Sequence, residues 1–244
     1  MNTSTERRLI VAIDGPAGAG KSTIASALAK RLGYTNLETG AMYRALGLKA
    51  IEHGVSLDDE ASLYALADQS RIELDPTPNG NRVLLDGRDI TEAIRTQEVS
   101  EAASRVSVHP KVRVWMVDRQ REMGAGGGVV MEGRDIGTKV FPDAEVKIFL
   151  DANPDVRAQR RVVQNIEKTG ISKPAGEIAA EMKLRDQRDS TRVASPLVPA
   201  EDAVILDSSG LTIEQVIERA MEIVNKYSVL STQYSGSMPE KNSR

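Results

Sequence analysis

Residues 9–23 read LIVAIDGPAGAGKST: a short apolar run that stops at Asp14-Gly15, a glycine-rich break, and then the start of a stretch rich in Ala and Leu. The apolar run, bounded by turn formers, reads as a buried strand, and Ile24, Leu28 and Leu32 at helical spacing up to Gly33 read as a helix. Between them, Gly15, Pro16, Ala17, Gly18, Ala19, Gly20, Lys21 and Ser22 fit the spacing GxxxxGK[ST], in the strand-before, helix-after setting that this motif demands. The chemistry explains the spelling. Glycines let backbone N–H groups converge with no Cβ in the way, and the helix N-terminus adds the positive end of its dipole. Lys21 then reaches the outer phosphates, and the Ser22 hydroxyl ligates magnesium. The other reading of the same residues is a glycine-rich turn that packs closely and binds nothing.

The rest of the composition agrees with an α/β protein. The 244 residues can bury a full core, and with 40% hydrophobic but only 3% aromatic residues that core is aliphatic. Strands are expected at 9–14, 129–133, 146–152 and 203–209, with helices between them such as 21–32 and 212–227, the alternation that builds a parallel sheet flanked by helices. RIELD (71–75) and RVLLDG (82–87), joined through Asn79-Gly80, break the alternation and read as an inserted antiparallel hairpin. Helical sequence follows at about 97–107, and Pro110 opens another helix. GAGGG (124–128) reads as a flexible joint back to the main sheet, and the tail from about Ser228 has no periodicity.

Absences narrow the function. There is no cysteine, so disulfides and thiolate metal sites are excluded. No apolar run is long enough to span a membrane, the N-terminus lacks a secretion-signal core, and the cytoplasm is the expected compartment. A net charge of −3 argues against a polymeric nucleic-acid partner, so any anion site is local. A GTPase would want an NKxD guanine reader, and Asn225-Lys226-Tyr227-Ser228 lacks the aspartate; no LSGGQ-like transporter text occurs. A kinase remains. His53 and His109 read as ordinary surface positions and Trp115 as core, which leaves no parts for a Ser-His-Asp hydrolase.

Three further stretches carry charge where a second phosphate would need it. In Leu37-Glu38-Thr39-Gly40-Ala41-Met42-Tyr43-Arg44 a strand end and a turn lead into a helix with a hydroxyl near its start and an arginine in its first turns. Glu132-Gly133-Arg134-Asp135 ends a buried strand, where open α/β sheets place ligands. Arg185, Arg188, Asp189 and Arg192 fall on one helix face, and Arg157, Arg160 and Arg161 stand on an earlier helix. Taken singly, these stretches also read as a capped helix, a structural salt bridge and a solvated charge stripe. Beside a phosphate loop, arginines on a mobile flap stabilise the charge of a phosphoryl group in transfer and exclude water.

From about residue 9 to 227 the chain resembles the bacterial cytidylate kinases of the nucleoside monophosphate kinase group, through IDGPAGAGKST, TGAMYR, IRTQEVSEAAS, EGRDIGTKVFPDAEVKIFLDA and RDQRDSTRVASPLVPAEDAVILDSS. The resemblance implies the P-loop nucleoside monophosphate kinase fold, with a helical lid. It implies a core at 1–36, 125–154 and 193–228, a monophosphate-binding region at 37–124 with an insertion at about 66–100, a lid at 155–192 and a flexible tail at 229–244. It also implies ATP with Mg2+ on the loop Gly15 to Thr23, and transfer to CMP or dCMP by a monomer. Thr39, Arg44 and Arg134 would hold the CMP phosphate side; Ser104, Arg113 and Asp135 would read the cytosine edge; Arg185, Asp189 and Arg192 would reach ribose and phosphate from the lid. Lys21, Arg134, Arg160, Arg185 and Arg192 would be catalytic, with Arg161 a further lid candidate. The chemistry agrees: cytosine N4 donates and suits a carboxylate, while O2 and N3 accept and suit arginine and a hydroxyl. Glu38 and Glu132 stand where aspartate is expected in many relatives. A UMP or small-metabolite kinase of the same fold, and a nucleotide-binding regulator without turnover, are the competing readings.

Overall fold

The computed structural model describes residues 8–77, 80–169 and 173–235. Its centre is the apolar run of the opening stretch, which forms strand β1 (Ile10–Asp14). Parallel partners lie on both sides: β6 (Val129–Gly133), with Asp14 opposite Gly133, and β7 (Val146–Asp151), with Ile13 opposite Ile148. With β2 (Thr35–Glu38) beyond β6 and β8 (Val204–Asp207) beyond β7, the sheet order is β2-β6-β1-β7-β8, parallel throughout.

Strand periodicity sends successive β1 side chains to opposite faces, and each face finds its own cover. Val11 and Ile13 pack with Leu28 of α1 (Lys21–Leu32) and with Val216 and Val224 of α8 (Ile213–Ser235). Ala12 faces Met42 and Leu46 of α2 (Thr39–Glu52) and Met116 of α5 (Pro110–Gly124). All of these are almost completely buried. Pro110 starts α5 as expected, where its missing N–H costs nothing.

The insertion is the expected antiparallel pair, β3 (Ile72–Thr77) with β4 (Gly80–Leu85), extended by a short β5 (Arg88–Asp89); Asn79 lies outside the described residues. Asn81 pins this sheet to the main one, accepting from the Glu38 N–H at 2.9 Å and donating to the Asn36 carbonyl at 2.8 Å. Lys49 makes a second tie, from α2 to Asp86 at 2.6 Å and to Ser70 at 2.8 Å. After the insertion come α4 (Gln97–Val106) and α5, and the segment expected to be a lid forms the helix pair α6 (Pro154–Thr169) and α7 (Ala175–Thr191).

Four features differ from the sequence expectation. The strand end read at Leu37 is a full edge strand, β2, whose polar Thr35 and Asn36 mask it. Helix α3 (Glu60–Asp68), capped by Asp59 through the Ala61 and Ser62 N–H groups, carries only Leu63 and Ala67 as buried residues, too few to show a periodicity. The joint at 124–128 is tied rather than loose: the Gly128 N–H bonds the Leu9 carbonyl and the Gly128 carbonyl accepts from Thr35, both at 2.9 Å. Finally, α8 continues to Ser235, past the loss of periodicity at Ser228; residues 236–244 lie outside the described ones.

Candidate functional site

The donor loop runs from the end of β1 to the start of α1. Gly15 passes so close to β7 that a Cβ would stand 2.0 Å from the Leu150 carbonyl oxygen, and Gly20, at φ 100, turns the chain into the helix without a side-chain cap. The loop carbonyls are engaged. Pro16 accepts from Lys21 Nζ at 2.8 Å and Ala17 from Arg157 Nη1 at 3.1 Å, while Ala19 accepts from the Ser208 hydroxyl at 3.3 Å. Ala17 to Thr23 line a cleft of about 1150 Å3, with Gly15 and Pro16 behind them. Burial, together with the nearby Arg134 guanidinium, pushes the Lys21 ammonium down to about 7. Ser22 is exposed in the cleft and donates to Glu132 Oε1 at 3.0 Å, so a hydroxyl and a carboxylate, both oxygen ligands suited to magnesium, stand side by side.

The opposite wall is built from side chains on separate elements. Arg113 of α5 and Asp135, which follows β6, form a buried pair, Nη2 to Oδ2 at 2.5 Å, with the guanidinium carbon 5.4 Å from the centre of the Tyr43 ring. Arg134 points the other way, to Asp189 of α7 at 2.9 Å, and Arg192 approaches the second oxygen of Asp189 at 3.4 Å. Burial alone would raise the Asp189 carboxyl, but Arg134, Arg185 and Arg192 together hold it below its ordinary range. Arg185 is different. Its Nε is buried with no hydrogen-bond partner among the described residues, and burial plus repulsion from Arg134 lowers its guanidinium to about 10. This is an excess of positive charge directed into the cavity, the condition under which an anion is welcome.

Most residues singled out in the sequence meet in this one cleft. Thr39, Arg44, Arg113, Arg134, Asp135, Arg185, Asp189 and Arg192 all line it opposite Lys21. Thr39 donates to the Glu132 carbonyl at 2.8 Å, and Arg44 faces Glu38 at 3.9 Å. Arg160 also lines the cleft but on the donor side, bonded to the Ser208 hydroxyl at 2.9 Å and to the Ser208 carbonyl at 2.7 Å. Arg161 contacts Gln164 at 2.8 Å and lies 3.5 Å from Gln97 of α4. Ser104 is buried behind the lining, its hydroxyl 3.4 Å from Arg188, and Arg188 itself turns to Glu101 at 2.5 Å.

Sequence reasoning did not find the partners that hold these groups. Arg157 clasps the glycine-rich loop while bonding Asp186 at 2.6 Å, Asn81 and Tyr43 brace the walls from within the lining, and Asp14 supports them from behind it. Nor did it mark the cleft beyond the loop, where Ser209, Leu211, Ile213 and Val216 face Val156 and Gln159. The apolar members of that set read as core on periodicity alone, so only the fold reveals them.

A glycine-rich loop after the central strand of a parallel sheet, sharing one cleft with a set of arginines, marks a P-loop kinase. The family model for cytidylate kinase matches residues 11–226, and the chain belongs to that family. It is 54% identical to the cytidylate kinase of Solibacter usitatus (strain Ellin6076), over 92% of this chain and 95% of that protein. It is 50% identical to that of Geobacillus thermodenitrificans (strain NG80-2), over 91% and 98%. Among solved structures, an uncharacterized protein from Eubacterium ventriosum ATCC 27560 shares the fold, with a TM-score of 0.50 and 11% identity over 89% of this chain and 99% of that one.

Proposed function

We propose that the protein transfers the γ-phosphoryl group of ATP to a phosphate oxygen of CMP or dCMP, giving ADP and the cytidine diphosphate. The observation that carries this reading is the buried Arg113–Asp135 pair, which lines the same cleft as Lys21 and offers a donor and an acceptor to the edge of a base. A carboxylate suits the N4 amino group of cytosine and is wrong for the O4 acceptor of uracil, whereas arginine suits O2 and N3. In the transfer, the bond from the γ-phosphorus to the bridging oxygen breaks as a bond to the acceptor oxygen forms. The acceptor is already an anion, so no general base is needed and the work is alignment and charge neutralisation.

Lys21 would hold the transferring group from the donor side, with Arg134, Arg185 and Arg192 on the acceptor side. Thr39 and Arg44 stand near the expected acceptor phosphate, and Asp189 orients the lid arginines. Ser22, supported by Glu132, is the oxygen that would hold magnesium, which when bound supplies positive charge to the phosphate oxygens. No helix among the described residues is long and apolar enough to cross a membrane, and a chain with no cysteine suits the reducing cytoplasm.

A coupled assay of ADP release against CMP, dCMP, UMP and AMP tests the reading. CMP and dCMP are expected to be the best acceptors, and Asp135→Asn to lower kcat/KM for CMP more than for UMP. ADP release that no monophosphate accelerates would overturn the assignment.

A further inference from the structure

Asp14 belongs to neither wall of the cleft. It ends β1, is 5% exposed, and is absent from the cleft lining among the described residues. Its carboxylate nevertheless makes two separate bonds to one turn, Oδ1 accepting from the Ile136 N–H at 2.8 Å and Oδ2 from the Gly137 N–H at 2.7 Å. The sheet register also sets Asp14 opposite Gly133. The dipeptide Arg134-Asp135 is therefore referenced to a single residue at both ends, through the strand ladder before it and through the Asp14 side chain after it. Between those ties the backbone has little room. A Cβ on Gly133 would come within 2.7 Å of Ile136 and 2.8 Å of Thr39, and the Lys139 and Val140 N–H groups fold back onto the Asp135 carbonyl at 2.8 and 3.2 Å. The residue after Asp14 is Gly15, pressed against the Leu150 carbonyl at the mouth of the donor loop.

We propose, on the functional reading above, that Asp14 is a positioning residue that sets the base-reading Asp135, and Arg113 with it, in fixed register with the donor loop. It touches neither substrate and acts through the backbone of the Gly133–Gly137 turn. The carboxylate is required because both of its oxygens are acceptors. An amide offers one oxygen and an NH2 group, so one buried backbone N–H would meet a donor and lose its bond. Burial raises the Asp14 carboxyl to about 6, which leaves the doubly accepting carboxylate as the main form at neutral pH and above.

The test is Asp14→Asn, assayed with CMP, UMP and ATP varied in turn. KM for CMP should rise by about tenfold, the scale of one lost charge-assisted hydrogen bond, and the CMP-over-UMP preference in kcat/KM should fall by a similar factor. KM for ATP should stay near its wild-type value, because the donor loop has its own ties at Pro16 and Ala17. A variant that melts earlier but keeps both its KM for CMP and its CMP-over-UMP preference would overturn the proposal, as would an equal rise in the two KM values. Should the variant fail to fold, amide hydrogen exchange on the wild type decides. The Ile136 and Gly137 amides are expected to exchange as slowly without nucleotide as those of β6; loop-like exchange that slows only on adding CMP would overturn the proposal. A wild type that ignores CMP would sink the functional reading instead, and the exchange experiment would still report on the tether.

Discussion

Between Ala17 and Thr23 consecutive residues make one wall of the cleft, using backbone and glycine conformation, whereas Tyr43, Arg113, Asp135 and Asp189 reach it from α2, α5, the turn after β6, and α7. On the proposed function the donor loop would meet phosphates, which every nucleoside triphosphate shares, so repeated main-chain groups would suffice. On the proposed function the acceptor wall would have to distinguish one base from another, and its charges are already paired to each other: Arg113 with Asp135, Arg134 and Arg192 with Asp189. Pairing keeps buried ions tolerable and fixes their orientation. The generic wall is thus local in sequence, and the selective one is assembled over long sequence distances.

Three changes probe that contrast. The largest effect is expected on the acceptor side. Arg113→Ala leaves the Asp135 carboxylate buried without its partner, which should lower the unfolding free energy by about 3–5 kcal/mol in a denaturant titration. A loss within a few tenths of a kcal/mol would show that the pair does not structure the wall.

On the donor side, Lys21→Met should fold normally yet lose about 10²–10³-fold in kcat, since it removes charge aimed at the transferring group. The same substitution has a signature in pH. The Lys21 ammonium sits near 7 in the folded chain against 10.5 unfolded, so between those values the unfolded chain binds more protons and wild-type stability rises with pH. Lys21→Met should flatten that part of the stability profile, measured without nucleotide by thermal melts across the range.

The smallest effect belongs at the rim, where lid and acceptor region meet through Arg188–Glu101 at 2.5 Å and Gln97–Glu181 at 2.9 Å. Glu101 is 48% exposed, and Glu101→Gln should change stability by about 0–1 kcal/mol and KM for CMP by at most about fivefold. A larger rise in KM would mean that selectivity extends to lid closure.

The same contrast explains what the sequence disclosed. The donor loop was legible because its spacing, its glycines and its flanking periodicities all lie within one short window, and the sheet was legible because its strands are short, apolar and bounded. The acceptor wall was not. Arg134 and Arg185 looked alike as cations, and nothing local says that one is paired to Asp189 while the other keeps an unpartnered buried Nε. Ser104 was named through family resemblance, and its place behind the lining depends on how α4 packs against α7. β2 was read only as a strand end, and α3 not at all, for a related reason: an edge strand with polar residues and a short helix with two buried positions owe their form to neighbours rather than to their own pattern.

The carbonyl ties of the donor loop have one further effect. Oxygens that would repel a phosphate are engaged by Lys21, Arg157 and Ser208, so the loop is held by bonds within the protein itself. A loop so tied would lose little conformational entropy on taking up a phosphate. On the proposed function, choice among donors would then fall to the rest of the cleft, where Leu211 and Ile213 offer apolar surface.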